Sequence, residues 1–356
     1  IELKKYYKKQ LLLLTLEGVL FILYKKSSMK KELFDQHMAR LSASYTSGVT
    51  YHLNTDKRIE LGDKTNRQCR FCGKQKPEVK FKQTKHAIPE LIGNKTLISM
   101  YECDTCNAHF SKMETDLAAY MALYHPLAQV GGKRGVPTYK PSSQERSHIA
   151  MGNTGLQIEY YEGEHELFEL DQDSNIIRFK GKRSYTPVMV HKCLTKMALS
   201  IMPETEMPYF QKTIDWLNED IDKPKYKMNE LPVFFSIYPG PRPFPFPTVA
   251  LFMRKENASE KVPYCLFLLA YSNFVFQTFI PLCEKDLADK SKDFTMIYMP
   301  NPLDLDENAR PQRYRLDFAS TEKTRNEPVS FALGYEYMED TLLTPKESTP
   351  STASQS

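Results

Sequence analysis

The sequence predicts an α+β protein made of a small zinc-stabilised domain followed by a larger mixed α+β domain. Two closely spaced CxxC pairs indicate the first domain, and a series of β-type runs around one amphipathic helix indicates the second. A chain of 356 residues is long enough for two domains that each bury a core. A hydrophobic content of 41% is typical of a folded protein and excludes a largely disordered one.

The four cysteines of the CxxC pairs, Cys69, Cys72, Cys103 and Cys106, predict a zinc site. Each pair presents two thiolates from one tight turn, and two pairs complete the tetrahedral shell that Zn²⁺ prefers. Gly73 supports the first turn, because glycine tolerates a positive φ. Four thiolates leave no open coordination position, so we expect this zinc to be structural rather than catalytic.

Composition divides the chain from residue 29 onward into five segments. Residues 29–62 are predicted to form an N-terminal helix and a linker that is irregular or β-like, and the chemistry-bearing residues lie in 63–125. A Gly/Pro/Ser-rich stretch at 131–143 is typical of a linker, and residues 144–330 contain the β-type runs of the C-terminal domain, whose role the sequence leaves open between sensing a signal and recognising a target. Residues 331–356 end in a polar Pro/Ser/Thr-rich tail that we expect to be largely disordered.

The first 28 residues carry the excess positive charge of the chain. They contain six lysines against two glutamates, and the whole chain has a net charge of +4, so the remainder is neutral. The apolar run at 11–24 is shorter than the roughly 20 residues that span a bilayer, and it contains Glu17. We interpret 1–28 as a leader or non-native extension rather than a membrane anchor. Without a convincing secretory signal, the seven cysteines favour a reducing, cytoplasmic compartment and no membrane partner.

The second domain is predicted from β-type runs and one helix. The runs lie at 156–161, 167–170, 176–179, 249–254, 264–271 and 274–280, and the helix spans 188–202. Lys192 and Lys196 lie on this helix, where a solvated face is the favoured interpretation and phosphate contact is the alternative.

Three short motifs lie between and around the CxxC pairs: KHAIPE at 85–90, GNK at 93–95 and ECDTCN at 102–107, followed by Phe110 and Glu114. In this combination the sequence resembles the HNH endonuclease family, in the branch whose CxxC pairs flank these motifs. The resemblance covers about 60 of the 356 residues. It implies a small ββα-metal domain over residues 63–125.

The resemblance also implies catalytic roles. His86 takes the position of the general base that activates water. Asn107 takes that of a ligand for a catalytic divalent ion, Mg²⁺ or Mn²⁺, and Glu114 follows it by about two helical turns, so both side chains are expected on one face. Asn94 is the nearest asparagine to the family's middle position and is expected to orient His86.

The chain departs from the family pattern at two positions. Many relatives carry an acid or histidine directly before the base, where this chain has Lys85. The middle asparagine usually stands a few residues before the second CxxC, where this chain has Ser99 and Met100. Asn94 also fits a simple turn asparagine beside Gly93, so both interpretations stay open.

A basic run surrounds the first CxxC pair. Residues 64–85 contain eight Lys/Arg against one acid, a pattern that can neutralise phosphates. We expect Lys80, Lys82, Lys85 and Lys95 to contact nucleic acid. The expected partner is double-stranded DNA, and a homo-oligomer is compatible with the sequence.

Together, the resemblance implies a metal-dependent endonuclease that hydrolyses DNA phosphodiester bonds. Some proteins of this family branch act in bacterial defence against phage, which is an analogy of domain arrangement. Two alternatives stay open: a non-catalytic zinc-ribbon module that binds nucleic acid, and a nuclease that acts on RNA or on modified DNA.

Overall fold

The computed structural model describes residues 6–12, 31–54, 57–153, 155–259, 261–286, 294–335 and 337–343. The fold belongs to the α+β class, as predicted. The helices are α1 (Lys31–Ser44), α2 (Asp104–Tyr120), α3 (Tyr124–Leu127), α4 (Pro187–Ile201) and α5 (Gln211–Asn218). Short 3₁₀ turns span Glu90–Ile92, Met207–Phe210, Glu284–Asp286 and Pro302–Leu305.

Strands form the larger part of the regular structure. They are β1 (Tyr6–Leu12), β2 (Tyr45–His52), β3 (Ile59–Leu61), β4 (Leu97–Ser99), β5 (His148–Gly152), β6 (Gly155–Tyr161), β7 (Phe168–Asp171), β8 (Ile176–Tyr185), β9 (Pro232–Ile237), β10 (Phe244–Arg254), β11 (Cys265–Ser272), β12 (Phe274–Phe279), β13 (Gln312–Asp317), β14 (Thr324–Gly334) and β15 (Tyr337–Leu343). The predicted runs of the second half all fall on strands, because alternating and continuous apolar residues pack on pleated, half-buried surfaces.

The described strands pair into four sheets. The largest has the order β13-β9-β12-β11-β10-β2, and the others are β15-β1-β6-β5, β14-β8-β7 and the parallel pair β3-β4. The six-stranded sheet is antiparallel throughout and takes its edge strand β2 from the N-terminal segment. The segment predicted as an N-terminal helix and linker therefore supplies a strand to the sheet of the C-terminal part.

Helix α4 is buried almost all round. It begins at Pro187, whose fixed φ suits the first turn of a helix, and packs against α2 and β11. The sequence placed Lys192 and Lys196 on a solvated face. That expectation is wrong, since both side chains are 2% exposed. The ammonium of Lys192 donates a hydrogen bond to the carbonyl of Trp216 at 2.6 Å, so a buried polar partner replaces water.

One hydrophobic cluster extends from Leu41 to Leu333 and includes side chains of both predicted domains. Tyr120, at the end of α2, packs edge-on against Tyr185, Phe235 and Phe318 of the C-terminal part. The division of the chain at 125 and 144 stays a prediction. The shared core means that residues outside 63–125 contribute to the position of α2.

Both ends of the chain contain strands that the sequence did not predict. β1, inside the segment interpreted as an extension, pairs with β6 and β15. Of the residues that the sequence placed in a disordered tail, 331–334 lie instead in β14 and 337–343 in β15, because they find antiparallel partners in β8 and β1. Residues 1–5, 13–30 and 344–356 lie outside the described residues. In the described part of the chain, every helix is too short or too polar to cross a bilayer.

Candidate active site

The four predicted zinc ligands meet at one point. The sulfur atoms of Cys69, Cys72, Cys103 and Cys106 all lie within 4.8 Å of one another, and those of Cys72 and Cys103 are 3.9 Å apart. A tetrahedral shell with Zn–S bonds of about 2.3 Å requires sulfurs about 3.8 Å apart. The cluster is therefore consistent with a structural zinc site.

Backbone hydrogen bonds shape the two cysteine turns. In the first turn the amide of Gly73 donates to the carbonyl of Cys69 at 2.7 Å, and Gly73 has a φ of 71°, as expected for glycine at this position. In the second turn Cys103 is the N-cap of α2, and its sulfur accepts a hydrogen bond from the amide of Cys106. The cysteine cluster therefore includes the first turn of α2.

Contact between the thiols and burial shift their pKa values in opposite directions. A hydrogen bond from Cys106 lowers the pKa of Cys69 to about 5, whereas burial raises the pKa of Cys72 to about 11. The surroundings thus favour one thiolate but oppose a second. A bound divalent cation removes that opposition, because it stabilises all four thiolates together.

His86 lies in a short extended segment that pairs with β4. The amide of Ala87 donates to the carbonyl of Leu97 at 3.0 Å, and the amide of Ser99 donates to the carbonyl of Lys85 at 2.8 Å. These two bonds flank His86 and form the antiparallel β part of a ββα arrangement, with α2 as its helix. The backbone position of His86 is therefore fixed on both sides.

The ring of His86 is partly buried beside a carboxylate. Its Nε2 lies 3.8 Å from Oε1 of Glu90, and its Nδ1 is a buried atom with no hydrogen-bond partner among the described residues. Burial lowers the pKa of His86 below its usual value, and the Glu90 carboxylate opposes this only in part. The ring therefore favours the neutral form, which a proton acceptor requires.

One face of α2 lines the same cavity as His86. The cavity has a volume of about 700 Å³ and is lined by His86, Glu90, Asn107 and Glu114, among others. Asn107 and Glu114 are seven residues apart on α2, so two helical turns bring them to the same face. Phe110 and other apolar residues of the helix are buried beside this face.

The cavity collects oxygen donors of the kind that hard divalent cations prefer. Asn107 provides an amide oxygen, and Glu90 and Glu114 provide carboxylates. Burial raises the pKa of Glu114, and the nearby carboxylates of Glu102 and Glu90 raise it further, while Lys196 opposes them. Carboxylates that repel one another in a shared cavity are stabilised by a bound cation, so this donor set fits Mg²⁺ or Mn²⁺.

Asn94 is completely buried, and its recorded hydrogen bonds all go to the backbone. Its amide nitrogen donates to the carbonyls of Ile88 at 2.5 Å and Leu97 at 3.1 Å, and its amide oxygen accepts from the amides of Thr96 and Leu97. Asn94 does not line the cavity. The side chain instead ties the loop after His86 to β4, so any influence on His86 passes through the backbone.

The four predicted phosphate-binding lysines divide into two groups. Lys80, Lys82 and Lys95 are exposed. Lys85 departs from the expectation: it is 2% exposed, and its ammonium forms an ion pair with Oδ1 of Asp104 at 2.5 Å. Asp104 also accepts from the backbone amide of Lys82. Lys85 therefore anchors the start of α2 and is not available to a phosphate.

Several residues around the site were not assigned from the sequence. Glu102 does not line the cavity and is buried against Lys196 of α4, with 2.9 Å between Nζ and Oε2. Glu90 reaches the cavity although no role was assigned to it. Lys133 and Arg134 line the cavity from the stretch interpreted as a linker. The GGKRG composition was the available signal for this turn, but its position depends on contacts far away in sequence.

The cavity thus combines a histidine on a β segment with amide and carboxylate side chains on a helix that begins at the cysteine cluster. The family model described as HNH endonuclease matches residues 69–121. The match spans both CxxC pairs and the segment between them, and it indicates a nuclease and a nucleic-acid partner. No curated protein and no solved structure matches the chain.

Proposed function

We propose that this chain is a metal-dependent HNH endonuclease that hydrolyses DNA phosphodiester bonds. The observation that carries the proposal is the shared cavity of about 700 Å³, which brings His86 of the β segment together with Asn107 and Glu114 of α2. A cavity of this size lies in the range of sites that enclose a small ligand group such as a phosphodiester.

His86 acts as the general base in this proposal. Its neutral ring accepts a proton from a water molecule, and the water oxygen attacks the phosphorus while the bond from phosphorus to the leaving oxygen breaks. The leaving oxygen then takes up a proton from solvent. The lowered pKa of His86 supports the role, because the ring is unprotonated and ready to accept a proton at neutral pH.

Asn107, Glu114 and Glu90 would hold the catalytic cation. When bound, a divalent ion stabilises negative charge on the phosphate and on the leaving oxygen. Asn94 contributes as a positioning residue, since its bonds to Ile88 and Leu97 fix the loop after His86. The exposed Lys80, Lys82 and Lys95 are the proposed contacts to flanking phosphates.

The test is cleavage of a substrate panel by the purified, zinc-loaded full chain. Supercoiled DNA, linear DNA, methylated DNA and single-stranded RNA are incubated with Mg²⁺ or Mn²⁺ and, as a control, with neither ion. Ion-dependent cleavage of unmodified DNA supports the proposal. Cleavage confined to RNA or to modified DNA would mean that this nucleic acid, and not unmodified DNA, is the substrate. If no member of the panel is cleaved, the proposal that the chain is an endonuclease is contradicted.

A non-catalytic nucleic-acid-binding module is the second candidate, and one observation favours it. Lys85 occupies the position before the base where many relatives have a further metal ligand, and it is buried against Asp104. If the chain is such a binding module, it should bind the DNA of the panel above but cleave it neither with Mg²⁺ nor with Mn²⁺.

The biological setting proposed for such a nuclease is defence against phage, on the basis of family resemblance alone. Phage plating efficiency on cells expressing the chain, compared with cells expressing a His86→Ala variant, tests this role. Equal plating on both strains contradicts it.

A further inference from the structure

A tight basic turn forms one wall of the candidate active site. The amide of Gly132 donates to the carbonyl of Gly135 at 2.9 Å, and the amide of Gly135 donates back to Gly132 at 3.2 Å. Lys133 and Arg134 form the tip of this turn, and all four residues line the cavity that contains His86. The turn thus brings two cationic side chains to the catalytic cavity from outside the segment that matches the HNH family.

Two glycines make this close approach feasible. Gly135 has a φ of 89°, which residues with a side chain rarely adopt. A Cβ atom on Gly132 would lie 3.3 Å from Cα of Leu91, so the turn packs directly on the backbone that follows His86. The tip is therefore set at a fixed distance from the His86 loop.

The chain leading into the turn is anchored by the C-terminal part of the protein. Nε2 of the buried His125 lies 3.0 Å from the hydroxyl of Tyr271, and the hydroxyl of Ser272 donates to the carbonyl of Ala128 at 3.1 Å. Both partners belong to β11. The strand therefore holds the segment from which the basic turn begins.

The chain leaving the turn is anchored as well. Tyr139 exchanges two backbone hydrogen bonds with Ile149 of β5, and its hydroxyl accepts from the amide of Lys182 of β8 at 2.7 Å. The stretch that resembled a linker is thus fixed at both ends. Its two basic residues have a defined position relative to His86.

The charge of the turn is available for a ligand. Lys133 and Arg134 are exposed, and no ion pair to either is found among the described residues. An arginine guanidinium offers paired donors that match phosphate oxygens, and a lysine ammonium offers a compact positive charge. A polyanion entering the cavity would meet these charges on the wall that the turn forms.

We infer that Lys133 and Arg134 bind the phosphates that flank the scissile bond, and that the C-terminal part of the chain positions this turn at the active site. The inference rests on the proposed function for the reaction itself. It assigns substrate positioning to residues outside the HNH segment and gives the C-terminal part a role in binding.

The test compares DNA binding by charge-matched variants, each carrying His86→Ala so that no cleavage disturbs the measurement. Lys133→Ala/Arg134→Ala removes two charges at the cavity. Lys323→Ala/Arg325→Ala removes two exposed charges that do not line it. Lys133→Arg/Arg134→Lys keeps both charges at the turn. Affinity for a short DNA duplex is measured over a series of salt concentrations by fluorescence anisotropy.

We expect the Lys133→Ala/Arg134→Ala variant, the turn variant, to bind DNA about 10- to 100-fold more weakly. The slope of log K against log salt concentration should become shallower by about 1.8, because each of the two lost phosphate contacts contributes about 0.9. The charge-preserving variant should retain the slope, and the Lys323/Arg325 control should change it less. Equal loss in the turn variant and the control overturns the inference, and so does a chain that binds no DNA. Cleavage by the chain with His86 intact decides the proposed function separately.

Discussion

Nζ of Lys196 lies 2.9 Å from Oε2 of Glu102, and both side chains are almost completely buried. Glu102 directly precedes the zinc ligand Cys103, whereas Lys196 belongs to α4 in the C-terminal part. Burial alone would lower the pKa of Lys196, yet the carboxylates of Glu102 and Glu114 outweigh it and raise that pKa. The ion pair therefore connects α4 to the start of the helix that carries Asn107 and Glu114.

Breaking this pair should destabilise the protein strongly. Lys196→Met leaves the Glu102 carboxylate buried without its cation, and the loss of one partner of a buried pair costs about 3–5 kcal/mol. Urea unfolding of zinc-loaded protein measures the change. The matched control is Arg315→Met, which removes an exposed pair with Glu230 and should cost below about 1 kcal/mol. If the two variants lose the same free energy of unfolding, the buried pair stabilises the protein no more than the exposed pair does.

Zinc binding should depend on the cysteine cluster alone. We expect Cys103→Ser to lose the metal, because a hydroxyl is a poor replacement for a thiolate ligand, and to unfold at lower temperature. Cys265→Ser changes a buried cysteine outside the cluster and should keep its metal. Elemental analysis of the purified variants measures the zinc content. Retention of zinc in Cys103→Ser would contradict the assigned ligand set.

Removing the side chain of Asn94 should loosen the loop that follows His86. Asn94→Ala leaves buried carbonyls and amides of that loop unpaired, and each such group costs about 1–3 kcal/mol. We therefore expect a loss of at least about 2 kcal/mol in the free energy of unfolding and slower cleavage. Asn66→Ala, at an exposed position, is the control. If Asn94→Ala matches Asn66→Ala in stability, the four bonds do not stabilise the loop.

Stability should fall in acid because of two buried histidines. Burial lowers the pKa of His125 and of His191 to about 3, and each ring is placed against hydroxyl groups, of Tyr271 for His125 and of Thr195 and Thr278 for His191. The unfolded chain protonates these rings near pH 6.5 and so binds more protons than the folded one between about pH 6.5 and 3.

The stabilisation from each neutral ring is consequently complete above about pH 6.5 and is lost as the pH falls toward 3. At pH 5 each histidine should cost about 2 kcal/mol relative to pH 7. Urea unfolding at both pH values measures this, with His191→Gln expected to reduce the difference and the exposed His52→Gln as the control. An unchanged difference in His191→Gln would contradict the assignment.

Local sequence was sufficient to predict the metal cluster and the face of α2. A CxxC turn needs only four residues, and helical periodicity places Asn107 and Glu114 together without any distant contact. The strands of the second half were likewise visible as apolar runs. In these cases the deciding interactions lie within a few residues of one another.

Features that depend on distant contacts were not predictable in the same way. Lys196 looks like a surface lysine in its helix, because its partner Glu102 is far away in sequence. Lys85 belongs to a basic run in the sequence, but Asp104, 19 residues further along the chain, forms an ion pair with it. The Gly-rich stretch at 131–143 has the composition of a linker, yet contacts with β5 and β11 make it a wall of the cavity.

The central claim is that His86 activates water in the cavity it shares with Asn107 and Glu114. The most direct measurement is the initial rate of nicking of supercoiled plasmid by His86→Ala and His109→Ala proteins of equal zinc content. His109 lies on α2 but its Nε2 is 3.1 Å from the carbonyl of Leu217, away from the cavity lining. We predict a loss of about 10²–10⁴-fold for His86→Ala and a near-native rate for His109→Ala. Nicking at an unchanged rate by zinc-loaded His86→Ala would contradict the account.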